Sequence, residues 1–144
     1  MMEQFAIDEA IRYGDLIFIK QSLKKNRNHL NLNQLFVNSI KFNQFEVVKY
    51  FLINEKISPE YDKNLGLIFA IINNDIKTIK LLIKDKRIKP EKYDNRAMLY
   101  LLERKDINWK IVDILWNEAV EIKLKENNPE KHKLIKTKIN AINF

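Results

Sequence analysis

The 144-residue chain has no cysteine, two glycines, three prolines and two histidines. Without cysteine there are no disulfides and no thiolate metal sites, which fits a reducing compartment. Scarce glycine and proline, with apolar residues recurring at three- and four-residue steps, argue against strands joined by tight turns and for an almost entirely helical fold. Two isolated glycines cannot build a phosphate-binding loop. His29 and His132 are far apart in sequence, and neither has a carboxylate at i+3 or i+4. They read as surface residues, so no catalytic residue, metal or cofactor is expected. Apolar runs are short as well. The longest, around Leu65 to Ile72, contains Gly66 and falls well below the roughly 18 residues that cross a bilayer. The opening Met1-Met2-Glu3-Gln4 is acidic and polar, unlike a signal peptide. The expectation is one intracellular, cytoplasmic domain with no membrane segment.

What the chain does have is a folded composition, 46% hydrophobic against 31% charged, and a net charge of +7. That charge would attract nucleic acid or an acidic protein. A bias toward Lys and Asn, as an AT-rich genome produces, gives the same charge without a function. The carboxylates Glu118 and Glu121 stand among Lys123 and Lys125 and read as an exposed charged face.

The chain also returns to itself after 31 residues. Ile57-Ser58-Pro59-Glu60 with Ala70-Ile71-Ile72-Asn73-Asn74-Asp75 reappears as Ile88-Lys89-Pro90-Glu91 with Leu101-Leu102-Glu103-Arg104-Lys105-Asp106. Self-similarity at this period signals a solenoid, whose units bury their apolar faces only by stacking. Aligning the apolar positions gives units over 4–27, 31–57, 64–88 and 95–117, most of them a short first helix, a turn and a longer second helix. Residues 118–144 form a C-terminal cap, with helical patterning continuing past Trp116 to Leu124. Pro129 then opens a new helix, with Lys131, Lys133, Lys136 and Lys138 on its polar face.

The turns are expected at Gly14-Asp15, Asn43-Gln44, Asn74-Asp75 and Lys105-Asp106. Gly and Asn tolerate a left-handed backbone, and Asp caps the following helix. Lys105 is the exception and predicts strain or an altered turn. Ala10, Ser39, Ala70 and Leu101 occupy equivalent places before these turns. The shorter first spacing predicts a connection without an extended loop near Asn26 to Leu32.

Ala10-Ile11-Arg12-Tyr13-Gly14-Asp15 and Ala70-Ile71-Ile72-Asn73-Asn74-Asp75, the latter followed by Ile76-Lys77-Thr78-Ile79-Lys80-Leu81-Leu82, resemble the two-helix core of the ankyrin repeat. Leu81 to Pro90 followed by Asn95-Arg96-Ala97-Met98 looks like the divergent ankyrin arrays of amoebae and the large DNA viruses that infect them. The resemblance covers about residues 5–117. The family's Thr-Pro-Leu-His opening is absent, and Lys56-Ile57-Ser58-Pro59 and Arg87-Ile88-Lys89-Pro90 replace its Gly-Ala-Asp loop, which puts regular β-hairpins in doubt. The resemblance implies an all-α solenoid of about four helix-turn-helix repeats with a C-terminal capping helix, loops projecting from one side, and protein recognition without a reaction. For a viral chain the location would be the host cytoplasm.

Partner-binding candidates follow from the projecting loops. Tyr61 and Tyr93 occupy matching loops and serve either as interface anchors or as covers for Ile57 and Ile88. Lys63, Lys89 and Lys92 surround them. Trp109 and Trp116 read as core covers beneath the cap, and Trp109 becomes a binding candidate if the altered turn exposes it. Two basic clusters, Lys84, Lys86, Arg87, Lys89 and Lys92, and Lys20, Lys24, Lys25 and Arg27, form either a solvated face or a site for phosphates or an acidic protein. The function expected is a non-catalytic protein-interaction module or adaptor. A basic helical array that binds nucleic acid is the alternative, and the chain is expected to be a monomer or a weak homo-oligomer.

Overall fold

A computed structural model describes residues 2–142 of the chain. Among them are ten α-helices, one 3-10 turn and no strand: α1 (Met2–Tyr13), α2 (Leu16–Asn26), α3 (Leu32–Lys41), α4 (Phe45–Asn54), α5 (Tyr61–Ile72), α6 (Ile76–Lys84), α7 (Lys92–Leu102), α8 (Trp109–Leu115), α9 (Glu118–Asn127) and α10 (Pro129–Ile142). The helices pair along the chain, α1 with α2 through to α9 with α10. They also form rows: α1 packs on α3, α3 on α5, α5 on α7 and α7 on α9, while α4 packs on α6 and α6 on α8. The two rows enclose a continuous apolar core from Ile7 and Ile11 to Leu124 and Ile135. Helices this short are marginal alone, so burial against the next pair supplies most of their stability.

Three of the expected turns form as the residue types require. Gly14, Asn43 and Asn74 have φ of 72°, 59° and 55°, and in each turn the next amide returns to a carbonyl five residues back, at Ala10, Ser39 and Ala70. Asp15 accepts the Phe18 N–H at 3.1 Å, and Asp75 accepts the Thr78 N–H at 3.1 Å and its hydroxyl at 2.7 Å. Gln44 does not cap α4. Its amide instead donates to the Arg12 carbonyl at 2.8 Å, tying this turn to the one before it. The first connection is the single 3-10 turn Arg27–His29. At the fourth turn Lys105 has no positive φ; α7 ends at Leu102, and α8 begins only after Asn108, which caps it. Of the two expectations at Lys105, strain or an altered turn, the structure has the altered turn.

Several expectations are corrected. The first helices are not the shorter ones at the start of the chain: α1 has 12 residues and α2 has 11, and α3 and α4 have 10 each. Helices α5 and α7 each open on a left-handed, non-helical stretch, at Asp62-Lys63-Asn64 and Tyr93-Asp94-Asn95. The helical pattern does not continue through Trp116, which is extended, and Asn117 starts α9 by accepting the Val120 N–H at 2.8 Å. The cap is therefore two helices rather than one, and α9 takes the place beside α7. Pro129 opens α10 as expected, free of the cost of a missing N–H at a first turn.

Gly66 sets the approach of α5 to α3: a Cβ there would lie 2.8 Å from Ile40 Cδ1. Side chains then lock each pair to the next with a constant reach. Asn33 accepts the Ser58 N–H at 2.7 Å, Asn64 donates to the Lys89 carbonyl at 3.2 Å and Asn95 to the Val120 carbonyl at 3.1 Å, each 25 residues ahead. At the other ends of these helices, Asn73 donates to the Ile40 and Lys41 carbonyls, and Arg104 to that of Ile71. The last carbonyls of a helix lack intrahelical partners, so the next pair supplies them.

Candidate functional site

The left-handed turns decide the surface around the predicted residues. Asp62, Lys63 and Asn64 have φ of 52°, 57° and 64°, and Tyr93, Asp94 and Asn95 have 58°, 55° and 59°. Each non-glycine residue in this region costs about 1–2 kcal/mol, so the neighbouring chain must hold the turn in place. Arg96 does this for the first, donating to the Asp62 and Lys63 carbonyls at 2.8 and 2.9 Å. Between the two turns lies an open concavity lined by Asp62, Lys63, Tyr93, Asp94 and Arg96. It continues along α7 past Ile68, Leu99, Tyr100 and Glu103.

Lys63 and Tyr93 thus share one concavity, and Tyr93 is 39% exposed. Tyr61 and Tyr93 are not equivalent, however. Tyr93 matches Asp62 in the repeated turn, whereas Tyr61 sits one residue before it, half-buried against the core. Tyr61 stands directly before one left-handed turn and Tyr93 is the first residue of the other, each following a turn at a buried proline, Pro59 or Pro90. Lys92, the true counterpart of Tyr61, bonds Glu60 at 2.6 Å. That hydrogen bond holds its ammonium above the ordinary lysine pKa. Lys89 is exposed, and its carbonyl takes the Asn64 amide. Trp109 lies apart from these residues at the start of α8, half-buried against the core with the Lys138 ammonium 5.6 Å from its ring centre. The altered turn does not expose it.

The basic clusters are partly consumed. Arg27 grips the buried Glu55 with two bonds of 2.9 and 2.8 Å, and the Tyr50 hydroxyl donates to the same carboxylate at 3.0 Å. The bond to Glu55 raises the Arg27 pKa, and burial, then that bond, raises the Tyr50 pKa. Arg87 pairs with Asp85 at 2.7 Å and reaches the Leu52 and Ile57 carbonyls, and its hydrogen bond holds the Asp85 carboxyl below its ordinary value. Lys20 lies 5.2 Å from the Tyr50 ring centre. In the cap, Glu121 is not a merely solvated carboxylate, since Lys136 and His132 meet it at 3.0 and 3.2 Å.

Sequence reasoning missed the aromatic file along the first-helix row. Phe5 is 70% exposed and Tyr100 38%. Phe42 and Phe69 are half-buried, with Arg12 over Phe42 at 4.8 Å and Lys41 5.7 Å from both rings. A groove between α1 and α3 carries Phe5, Asp8, Glu9, Arg12, Asn38, Lys41 and Phe42. Phe69 and Tyr100 stand 31 residues apart, which was the available signal. No helix among the described residues is long and apolar enough to cross a membrane. No protein-family model, curated protein or solved structure matches the chain.

Proposed function

We propose that the chain is a divergent ankyrin-like helical solenoid that binds another protein along the row of first helices. The observation that carries this reading is the partly exposed aromatic and charged file from Phe5 to Tyr100, along a row in which α3, α5 and α7 each make a tie of 25-residue reach. Rigid aromatic anchors beside adaptable charges suit a protein interface, because Tyr and Phe offer contact area at low entropic cost. Acidic and basic groups alternate along the file, with Asp8, Glu9, Asp62 and Asp94 among Arg12, Lys41 and Lys63. The partner face is therefore of mixed charge, not uniformly acidic. Nucleic-acid binding has less support, since Arg27, Arg87, Lys92 and Lys20 are engaged within the chain.

A variant carrying Lys63→Glu, Tyr93→Ser and Tyr100→Ser tests the proposal, as all three side chains are exposed. A photo-crosslinker at Phe5 identifies what the chain contacts in its native cell. The triple variant is expected to lose that crosslinked protein at an unchanged melting temperature. Equal crosslinking by both forms would remove this face from consideration.

A further inference from the structure

Charge is divided unequally between the two rows of helices. Helices α1, α3, α5 and α7 carry five basic and five acidic residues, whereas α2, α4, α6 and α8 carry eight lysines against Glu46 and Asp113. The second-helix row thus has a net charge of +6, where the whole chain has +7. Helical spacing turns these charges outward. On α6, Lys77, Lys80 and Lys84 stand at i, i+3 and i+7, a stripe opposite the buried Ile79 and Leu82. The same stripe is Ile17, Lys20 and Lys24 on α2 and Glu46, Lys49 and Ile53 on α4, and all nine side chains are exposed. Lys20, Lys49 and Lys80 follow one another at 29 and 31 residues, the steps that separate Ala10, Ser39 and Ala70, so one lysine recurs at the same place on three helices. Packed helices lie about 8–10 Å apart, close to the Debye length in physiological salt, so the potentials of neighbouring stripes add.

None of the eight lysines pairs with a carboxylate among the described residues. Lys20 and Lys77 lie 5.2 and 3.9 Å from the ring centres of Tyr50 and Phe45, which positions an ammonium without neutralising it. Acids at the ends of these helices are engaged, Glu55 by Arg27, Asp85 by Arg87, and Asp15 and Asp75 by the amides they cap. The make-up of the face then selects among polyanions. A nucleic-acid site uses arginines that fork onto phosphate and aromatic rings that stack on bases. The four helices of this row carry no arginine, and Tyr50 and Phe45 are half-buried with lysines over them. What the stripes hold instead is Ile17 at 73% and Ile53 at 69% exposure. Isoleucine gains nothing from a phosphate backbone, but it can bury its side chain at the headgroup boundary of a bilayer while lysine stems reach the anionic groups beside it.

We infer that the second-helix row is a docking face for an anionic lipid surface, held by the lysines of α2, α4 and α6 and by Ile17 and Ile53 entering the headgroup layer. The core lies between this row and the first-helix row, so a docked chain keeps its aromatic file free.

Co-sedimentation of the full chain with vesicles tests it. Vesicles of about 30% phosphatidylserine in phosphatidylcholine should bind the chain at about 0.05 M salt and release it as salt rises, and pure phosphatidylcholine should not bind it. Lys24→Glu with Lys49→Glu and Lys80→Glu should weaken binding by about a hundredfold or more, since each lysine near an anionic surface contributes about fivefold. Lys105→Glu with Lys125→Glu and Lys133→Glu, an equal change in net charge off this row, should weaken it by less than about tenfold. Ile17→Ser with Ile53→Ser should weaken vesicle binding several-fold and leave any retention of duplex DNA unchanged. A wild type that ignores the anionic vesicles at low salt overturns the inference. Equal losses in the two lysine triples do so as well, because binding then follows net charge alone. Isoleucine variants that bind vesicles like the wild type also overturn it, by making the face a general polyanion site. All substituted side chains are exposed, and circular dichroism confirms that each variant is folded.

Discussion

Asn33, Asn64 and Asn95 recur every 31 residues, and each joins its helix to backbone 25 residues ahead. Two demands meet at the last two. Asn64 and Asn95 each close a left-handed turn, a conformation Asn adopts more readily than other non-glycine residues, and each buries an amide that must find a partner. Replacing Asn95 with Ala removes the bond to the Val120 carbonyl and sets Ala at a positive φ, and should cost about 1–3 kcal/mol in urea unfolding. An Asn95→Ala protein as stable as the wild type would mean that this bond contributes nothing. The spacing was plain in the sequence, yet asparagine is so abundant there that three in register stood out little. The neighbouring Asp62, Lys63, Tyr93 and Asp94 gave no sign of a positive φ, because such residues adopt it only where other chain segments hold them, as Arg96 holds Asp62 and Lys63.

Helix boundaries divide in the same way between local and tertiary causes. The starts of α2 and α6 were legible because Gly14-Asp15 and Asn74-Asp75 satisfy both the left-handed residue before the helix and the cap. The break between α8 and α9 was not, since apolar residues at Ile114, Leu115, Trp116, Ala119 and Val120 keep helical spacing through it. Only Asn117, a single capping side chain, marks the stop. The N-cap at α6 is the strongest of the set, because Asp75 takes both the N–H and the hydroxyl of the buried Thr78. Asp75→Ala should therefore lower stability by about 1–2 kcal/mol, read as a reduced melting temperature. Asp75→Asn, which keeps an acceptor for the amide, should lose less. Equal losses in the two variants would place the stabilisation in charge rather than in the hydrogen bond.

A molecule whose helices touch mainly their neighbours loosens from its ends before its middle. The all-helical fold and the order of the pairs could be read from apolar spacing, but how the last pair is fastened could not, because Glu121, His132 and Lys136 meet only after α10 folds back on α9. Hydrogen bonds from Lys136, then His132, hold the Glu121 carboxyl below its ordinary pKa of 4.5. A carboxylate with a depressed folded pKa stabilises fully above its unfolded value, and that contribution disappears as pH falls through the folded value. The tie between α9 and α10 is thus intact at neutral pH and fails on acidification below 4.5. Hydrogen exchange, corrected for its intrinsic pH dependence, should show residues 129–142 losing protection in acid while α3 to α6 keep theirs. Glu121→Gln, unable to carry the charge, should expose α10 to exchange already at neutral pH and remove most of the acid-dependent change. If α10 and α5 instead lost protection together at every pH, the chain would unfold as one cooperative body, and the fastening of its last helix would have no separate consequence.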